Sequence, residues 1–251
     1  MSAPSPAPAA AFFDVDGTLT NRTTLFRFLR HDMAERGLPE REFTQLREEL
    51  RAMTLAGAPR GTTNRAFFRS FAGRPVAEVA LAGRRWFRAE YATGGLFRAS
   101  AVAALRGHVR AGHRVALVSG AFSACLDPLA ELLGVEHVLC TRPLVHRGRY
   151  TGETDTPMLG RQKASAAYEF GRQQGIPPAA SHAYGDHVSD IPLLELVGRP
   201  VAVGEDPDLR AHADRHGWHR LDEHGASRVT TPPSAQPIES ERHREPESIH
   251  S

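Results

Sequence analysis

The chain has 251 residues, of which 41% are hydrophobic and 24% are charged, a balance typical of a soluble globular protein with a sizeable core. Its 31 basic and 29 acidic residues leave a net charge of +2. So small a net charge produces no strong electrostatic field, and therefore does not predict nucleic acid or an anionic membrane as a partner. No run of roughly eighteen apolar residues occurs, so the sequence predicts no membrane-spanning helix. A cytoplasmic location is the expectation.

The two ends of the chain and its two cysteines carry little structural signal. Residues 1–10 are rich in Pro and Ala, without a basic start or long apolar core, and predict a flexible leader. Residues 222–251 contain no aromatic residue and many Pro, Ser, His, Glu and Arg, which predicts a disordered tail. Cys125 and Cys140 match neither a zinc pattern nor a disulfide framework, so they are expected to be buried thiols in a reducing compartment.

In chain order, the first predicted element is a buried strand, Ala11-Phe12-Phe13-Asp14-Val15, which ends in a turn. Between residues 23 and 91, apolar side chains recur at helical spacing, so this segment of about seventy residues is predicted to be all helical. After Gly94-Gly95, predicted helices alternate with strands. These strands are placed at residues 114–118, 135–140, 182–184 and 200–203.

Strands that alternate with helices predict a mainly parallel sheet with helices on both faces, a Rossmann-like three-layer α/β sandwich. The core is then formed by residues 11–20 and 93–221, and residues 21–92 form a small all-helical cap inserted between them. In open parallel sheets, ligands bind beyond the carboxyl ends of the strands, near the point where the winding reverses. Functional residues are therefore expected at that edge.

Four polar clusters fall at predicted strand ends or helix starts: Asp14-Val15-Asp16-Gly17-Thr18, Ser119-Gly120, Lys163, and Gly185-Asp186-His187-Val188-Ser189-Asp190. Each alone has an ordinary explanation, because Ser-Gly is a common turn, single lysines are usually exposed and aspartates often cap helices. In this order and on this scaffold, the four clusters resemble the motifs of the haloacid dehalogenase superfamily of phosphohydrolases. The resemblance covers residues 12–209, and the helical insertion after the first motif is similar to that of the phosphoserine phosphatase branch.

The resemblance implies a magnesium-dependent phosphomonoester hydrolase that forms a phosphoaspartate on Asp14. Attack by a carboxylate divides the very slow hydrolysis of a phosphomonoester into two easier steps. Two residues along an extended chain return the side chain to the same face, so Asp16 is expected to protonate the leaving oxygen and later deprotonate the attacking water. Lys163 would offset the carboxylates and the charge on the phosphoryl group.

Clustered carboxylates repel a phosphate unless a cation lies between them, and hard oxygen ligands favour Mg²⁺. The resemblance implies metal ligands from Asp14, Asp16, the Val15 carbonyl, Asp186 and Asp190. Hydroxyl and backbone N–H groups at a helix start can bind phosphate oxygens. The candidates for phosphate or substrate binding are Thr18, Ser119 and Gly120, together with Arg65 from the cap.

The expected substrate is a small phosphorylated metabolite, such as an amino-alcohol, histidinol-like or sugar phosphate. Phosphoserine phosphatases carry a glutamate soon after the first motif, and Thr23 at the aligned position argues against phosphoserine. Cationic and aromatic side chains of the cap could line a pocket for an anionic or larger phosphate; the alternative, which the sequence favours, is that the arginines are solvated and the aromatic residues form the core of the cap. They are Arg22, Arg27, Arg30, Arg65, Phe26, Phe67, Phe68 and Trp86.

Other functions remain open at this stage. A mutase-like phosphotransferase would use the same aspartyl phosphate and return the group to a second hydroxyl, whereas a non-enzymatic binding protein would have lost the nucleophile that is present here. Asp-x-Asp-Gly also begins calcium loops, but Leu19 stands where oxygen donors would continue that pattern. His187 is either a substrate contact or a surface loop histidine, and the other histidines show no helix-face pair typical of zinc sites. The expected assembly is a monomer or homodimer.

Overall fold

The structure of the chain is a computed structural model that describes residues 8–222 and 227–229. The strands are β1 (Ala10–Phe13), β2 (Arg114–Ser119), β3 (His137–Cys140), β4 (Pro143–His146), β5 (Arg149–Thr154), β6 (His182–Gly185), β7 (Arg199–Val203), β8 (His219–Leu221) and β9 (Ser227–Val229). The helices are α1 (Thr24–Glu35), α2 (Glu40–Leu55), α3 (Arg60–Phe68), α4 (Val76–Ala92), α5 (Ala99–Arg110), α6 (Ser123–Leu133), α7 (Arg161–Gln173), α8 (Ile191–Leu196) and α9 (Pro207–His216). Among these described helices, none is both long and apolar enough to cross a membrane.

The main sheet has the strand order β3-β2-β1-β6-β7-β8-β9. Its neighbours pair in parallel, except for β8 and β9, which are antiparallel. From β1 the chain adds β2 and β3 on one side, and then β6, β7 and β8 on the other. The winding therefore reverses between β1 and β6, and the carboxyl ends of these two strands flank the crevice where such folds bind ligands.

Strand β1 separates two apolar clusters because its side chains alternate between the faces of the sheet. Phe12 faces the α7 side, where its ring meets Phe170 with centroids 5.9 Å apart. Phe13 faces the opposite side and stacks on Tyr184 of β6 at 4.1 Å. The predicted three-layer α/β sandwich with a mainly parallel sheet is confirmed.

The cap, formed by helices α1 to α4, shares one apolar cluster with the core. The ring of Phe122, at the start of α6, lies 5.2 Å from that of Phe68 and 5.8 Å from that of Phe28. Helix α4 also approaches α6 backbone to backbone, since a Cβ atom at Gly83 would lie 1.9 Å from the Ala124 carbonyl oxygen. The base of the cap is thus packed firmly onto the core.

A β-hairpin that was not predicted from the sequence packs against the side of the cap. Strands β4 and β5 pair antiparallel across a turn at Arg147 and Gly148, both with positive φ, as a two-residue hairpin turn requires. Tyr150 of β5 is buried, and its carbonyl accepts a hydrogen bond from the Gly73 N–H at 2.7 Å. The cue in the sequence was the glycine-containing turn between two short β-prone runs.

Several predicted boundaries need correction. Strand β1 begins at Ala10, inside the predicted leader 1–10, and β3 begins at residue 137 instead of 135. Within the predicted disordered tail 222–251, residues 227–229 form β9, because the open edge of β8 offers backbone hydrogen bonds that need no apolar side chains. The rest of the leader and tail predictions, at 1–7, 223–226 and 230–251, lies outside the described residues.

The two cysteines are free thiols. Cys125 is buried and Cys140 is half-buried. Burial raises the pKa of both thiols, that of Cys140 to about 11. A high pKa leaves little reactive thiolate at neutral pH, so both behave mainly as packing residues.

We predict that Gly83→Ala destabilises the protein by about 1–3 kcal/mol, because the added methyl group must push α4 away from the Ala124 carbonyl. Gly107→Ala in α5 is the matched control, since a Cβ there meets no atom within 4 Å. That change should stabilise by about 0.5–1 kcal/mol through helix propensity. Thermal unfolding of the two variants measures both effects, and equal shifts would contradict the close cap-to-core contact.

Candidate active site

The structure brings the four predicted motifs together at the carboxyl edge of the sheet. Asp14 directly follows β1, Asp186 follows β6, and the Asp14 N–H donates a hydrogen bond to the Tyr184 carbonyl at 3.0 Å. Ser119 ends β2, and Lys163 lies in the first turn of α7. Residues far apart in the chain therefore meet at the point where the winding reverses.

Lys163 bridges two of the carboxylates. Its Nζ lies 2.6 Å from Asp14 Oδ1 and 2.7 Å from Asp190 Oδ1, and all three side chains are buried. Burial alone would lower the pKa of the Lys163 ammonium, but the two carboxylates outweigh that effect and hold the pKa above its usual value. Lys163 is therefore a fixed positive charge at neutral pH.

Asp14, Asp186 and Asp190 form a compact carboxylate group, with one oxygen of each within 4.8 Å of the others. Burial raises the pKa of all three, and charge repulsion within the group raises it further. Lys163 supplies one positive charge against three carboxyl groups, so the site favours an additional cation. Hard carboxylate oxygens in this arrangement fit Mg²⁺.

The turn after β1 is shaped around Asp186. The Thr18 hydroxyl lies 2.9 Å from Asp186 Oδ1 and 3.3 Å from Asp14 Oδ2, so it can donate its proton to either carboxylate. Gly17 has φ +87°, and a Cβ atom there would lie 2.0 Å from Asp186 Oδ2. The predicted phosphate-binding hydroxyl of Thr18 is thus engaged with the carboxylates, and only glycine fits before it.

Asp16 turns away from this group and toward the cap. Its Oδ1 accepts a hydrogen bond from the backbone N–H of Thr24, the first residue of α1, at 2.8 Å. Burial raises the pKa of Asp16 to about 7, although the hydrogen bond from Thr24 opposes the shift. A carboxyl group with a pKa near neutrality suits both the donation and the acceptance of a proton.

Two of the predicted metal ligands make other contacts in this structure. The Asp16 carboxylate is absent from the group formed by Asp14, Asp186 and Asp190 in the described residues, because it is directed to Thr24. The Val15 carbonyl already accepts hydrogen bonds from the N–H groups of residues 19 and 20 and from the hydroxyl of residue 20, at 2.9–3.1 Å. These hydrogen bonds close the turn.

The second motif forms a buried turn between β2 and α6. The Oγ of Ser119 accepts a hydrogen bond from the Ala121 N–H at 3.1 Å, which leaves the hydroxyl proton for another acceptor. The Gly120 carbonyl accepts hydrogen bonds from Asn64 Nδ2 at 3.0 Å and from Thr141 Oγ1 at 2.9 Å. Asn64 belongs to α3, so this turn is also a contact between cap and core.

A cap arginine that the sequence analysis did not single out reaches the fourth motif. Arg60, the first residue of α3, lies 2.6 Å from Ser189 Oγ and 3.0 Å from His187 Nδ1. Arg65 is exposed on the same helix, and its side chain forms no hydrogen bond or ion pair within the described part of the chain. His187 accepts a hydrogen bond from the Ser189 N–H and caps the short 3₁₀ helix at 188–190. Arg60 and Asn64 were missed because only the docking of the cap reveals them.

The cap contains a cavity of about 620 Å³. Arg22, Arg27 and Arg30 line it, as does Phe26, while Phe67, Phe68 and Trp86 lie in the apolar core instead. Two of the arginines are paired across the cavity wall: Arg27 with Glu90 at 2.6 Å, and Arg30 with Glu40 at 2.8 Å. Of the eight cap side chains named from the sequence, the cavity therefore contains three arginines and one aromatic residue.

Comparisons with known proteins agree with this fold. The model of the haloacid dehalogenase-like hydrolase family matches residues 11–195, which is most of the chain. A probable phosphatase of Mycobacterium tuberculosis is 31% identical over 215 residues, which cover 84% of this chain and 74% of that protein. The phosphoserine phosphatase SerB1 of the same organism is 29% identical over 228 residues, 85% of this chain and 70% of that protein.

Solved structures show the same architecture. The structure of a protein of unknown function from Bordetella pertussis is 29% identical in sequence and has a TM-score of 0.78. The match covers 87% of this chain and 100% of that one. A substrate-bound phosphoserine phosphatase has a TM-score of 0.60 at 20% identity, covering 82% of this chain and 90% of that one, and shows the shared fold. The chain belongs to the haloacid dehalogenase-like hydrolase family.

We predict that Asp16→Asn stabilises the metal-free protein at pH 8 by about 1–3 kcal/mol and has little effect near pH 4. Folding raises the pKa of Asp16 from 3.8 to about 7. The contribution of Asp16 to stability is therefore fully present below its unfolded-state pKa and is lost as the pH rises through its folded-state pKa. Thermal unfolding at a series of pH values measures the difference. Asp155→Asn, at an exposed aspartate after β5, is the control, and a matching profile there would contradict the role of burial.

Proposed function

We propose that this protein is a Mg²⁺-dependent phosphomonoester hydrolase that acts on a small phosphorylated metabolite through a phosphoaspartate on Asp14. The observation that carries the proposal is the position of Asp14, buried at the reversal of the sheet with Lys163 on one oxygen and two further carboxylates beside it. The phosphatase class is supported by the family match and by the phosphatase relatives.

Asp14, Asp186 and Asp190 would hold the metal, since they form the compact oxygen-ligand group described above. When bound, Mg²⁺ supplies positive charge that reduces repulsion between these carboxylates and the phosphate and stabilises the transferring group. Lys163 adds a second fixed positive charge on the Asp14 side. The site then becomes attractive to a phosphate dianion.

In the first step, a carboxylate oxygen of Asp14 attacks phosphorus while the bond from phosphorus to the leaving oxygen breaks. Lys163 bonds to Oδ1 of Asp14, which fixes the carboxylate and leaves Oδ2 as the attacking atom. Asp16, protonated near its raised pKa of about 7, donates its proton to the leaving oxygen. The products of this step are a free alcohol and an acyl phosphate on Asp14.

In the second step, the now ionised Asp16 removes a proton from a water molecule. The resulting hydroxide attacks phosphorus, the bond between Asp14 and phosphorus breaks, and inorganic phosphate leaves. Asp14 returns as a carboxylate and Asp16 returns protonated, so the cycle balances. The Ser119 hydroxyl, whose proton is free of the Ala121 contact, would donate to a phosphate oxygen in both steps.

The cap cavity supports a substrate with an anionic or polar substituent. Arg22 and Arg47 line it and form no side-chain ion pair within the described residues, so their charges face an incoming ligand. Thr23 also lines it, at the position where phosphoserine phosphatases carry a glutamate. A neutral or anionic leaving group therefore fits better than one that carries an ammonium group.

We predict that Asp14→Asn lowers kcat for small phosphomonoesters by about 10³-fold or more, because the amide is no nucleophile. Phosphate release from a substrate panel is measured with Mg²⁺ and with chelator. The parent should be active only with Mg²⁺, and thermal unfolding should show that the variant is folded. Activity of the folded variant close to the parent's would contradict the phosphoaspartate, and isomerised product without free phosphate would identify a mutase instead.

We predict that Arg60→Met raises KM about five- to twentyfold, since it removes a charged contact with Ser189 and His187 that holds α3 over the fourth motif. Arg65→Met, on the same helix but exposed, should leave KM unchanged. Steady-state kinetics on the preferred panel member compares the two. A larger effect at Arg65 would restore the original assignment of the substrate-binding arginine.

A further inference from the structure

Three histidines converge at the amino end of the sheet, opposite the carboxylate site. His108 lies in the last turn of α5, His113 directly precedes β2, and His182 is the first residue of β6. One ring nitrogen of each lies within 4.8 Å of the others. Three imidazoles from three separate segments thus meet at one point, which sequence spacing alone did not indicate.

The contacts within this histidine cluster are short and directional. His108 Nδ1 lies 2.8 Å from His113 Nδ1, so these two nitrogens share one proton and one lone pair. The ring centroids of His108 and His182 lie 4.4 Å apart. His108 is buried, whereas His113 and His182 are half-buried, which leaves a path for a small solute from the surface.

The buried ring of His108 is oriented from behind by Tyr184. Its Nε2 lies 2.9 Å from the Tyr184 hydroxyl, the type of outer contact that fixes the ring and tautomer of a metal-binding histidine.

We propose that His108, His113 and His182 form a second metal site, which binds Zn²⁺ or a similar borderline divalent cation. Three imidazoles supply three of the four ligands of a tetrahedral zinc ion, and water completes the set. Imidazole nitrogen favours such ions, whereas the carboxylate group at the other end of the sheet favours Mg²⁺. The two sites are thus separated by ligand chemistry as well as by position.

For both Nδ1 atoms to face a metal ion, the proton that His108 and His113 share has to move. The proton between the two Nδ1 atoms moves to the Nε2 atom of the ring that carries it. If His108 carries this proton, its new Nε2–H group donates a hydrogen bond to the Tyr184 oxygen, and the hydroxyl proton of Tyr184 then points away from the His108 ring. Arg199, 3.3 Å from His182 Nε2, opposes the cation, but it is exposed and water screens its charge.

The test is calorimetric titration of the metal-stripped full chain with Zn²⁺ in excess Mg²⁺, which occupies the carboxylate site. We expect one equivalent of Zn²⁺ to bind to the parent protein. The affinity for Zn²⁺ should be at least about tenfold lower in His113→Gln and in Tyr184→Phe. His146→Gln, at an exposed histidine of β4, and Asp186→Asn should bind Zn²⁺ like the parent. Co²⁺ in place of Zn²⁺ should give a tetrahedral visible spectrum without a sulfur charge-transfer band.

Thermal unfolding provides a second readout that does not depend on phosphatase activity. At hundredfold excess over its Kd, Zn²⁺ should raise Tm by about 5–10 °C in the parent and not in folded His113→Gln. Equal affinity in the parent and His113→Gln, or loss of the equivalent in Asp186→Asn alone, would overturn the proposal. Since neither assay measures hydrolysis, this result is separate from the test of Asp14.

Discussion

The buried ion pairs of Lys163 are the interaction on which the candidate site depends. One ammonium group contacts both Asp14 and Asp190, which places a carboxylate after β1 and another after β6 around a common charge. Buried carboxylates without such a partner would be protonated or would separate. Asp186 joins the group with no lysine of its own, which is why the arrangement favours a divalent cation.

Close packing holds this charge cluster in place. Gly17 has no room for a Cβ atom beside Asp186, and Gly185 has none beside Asp190, where the gap would be 2.6 Å. Both glycines let a loop come near a carboxylate that a larger residue would displace. The site is therefore rigid before any ligand arrives, and rigid placement of reacting groups is a principal source of enzymatic rate enhancement.

The cap makes polar contacts with the candidate site. The first N–H of α1 bonds to Asp16, so the proposed acid and base is positioned by a cap helix. Asn64 and Arg60 of α3 bond to the second and fourth motifs. Because the base of the cap is fixed to the core through Phe122, any opening movement would involve these polar contacts more than the apolar base.

The sequence by itself determined the α/β class, the helical insertion, the family and the set Asp14, Lys163, Asp186 and Asp190. Apolar periodicity and strand-end motifs are local signals, and parallel strands bring their carboxyl ends to one edge. Only the tertiary structure decided that Arg60 and not Arg65 reaches the fourth motif, and that Asp16 turns to the cap. It alone also brought together the three histidines at the other end of the sheet. These contacts join segments distant in the chain, and their geometry depends on packing that no local pattern records.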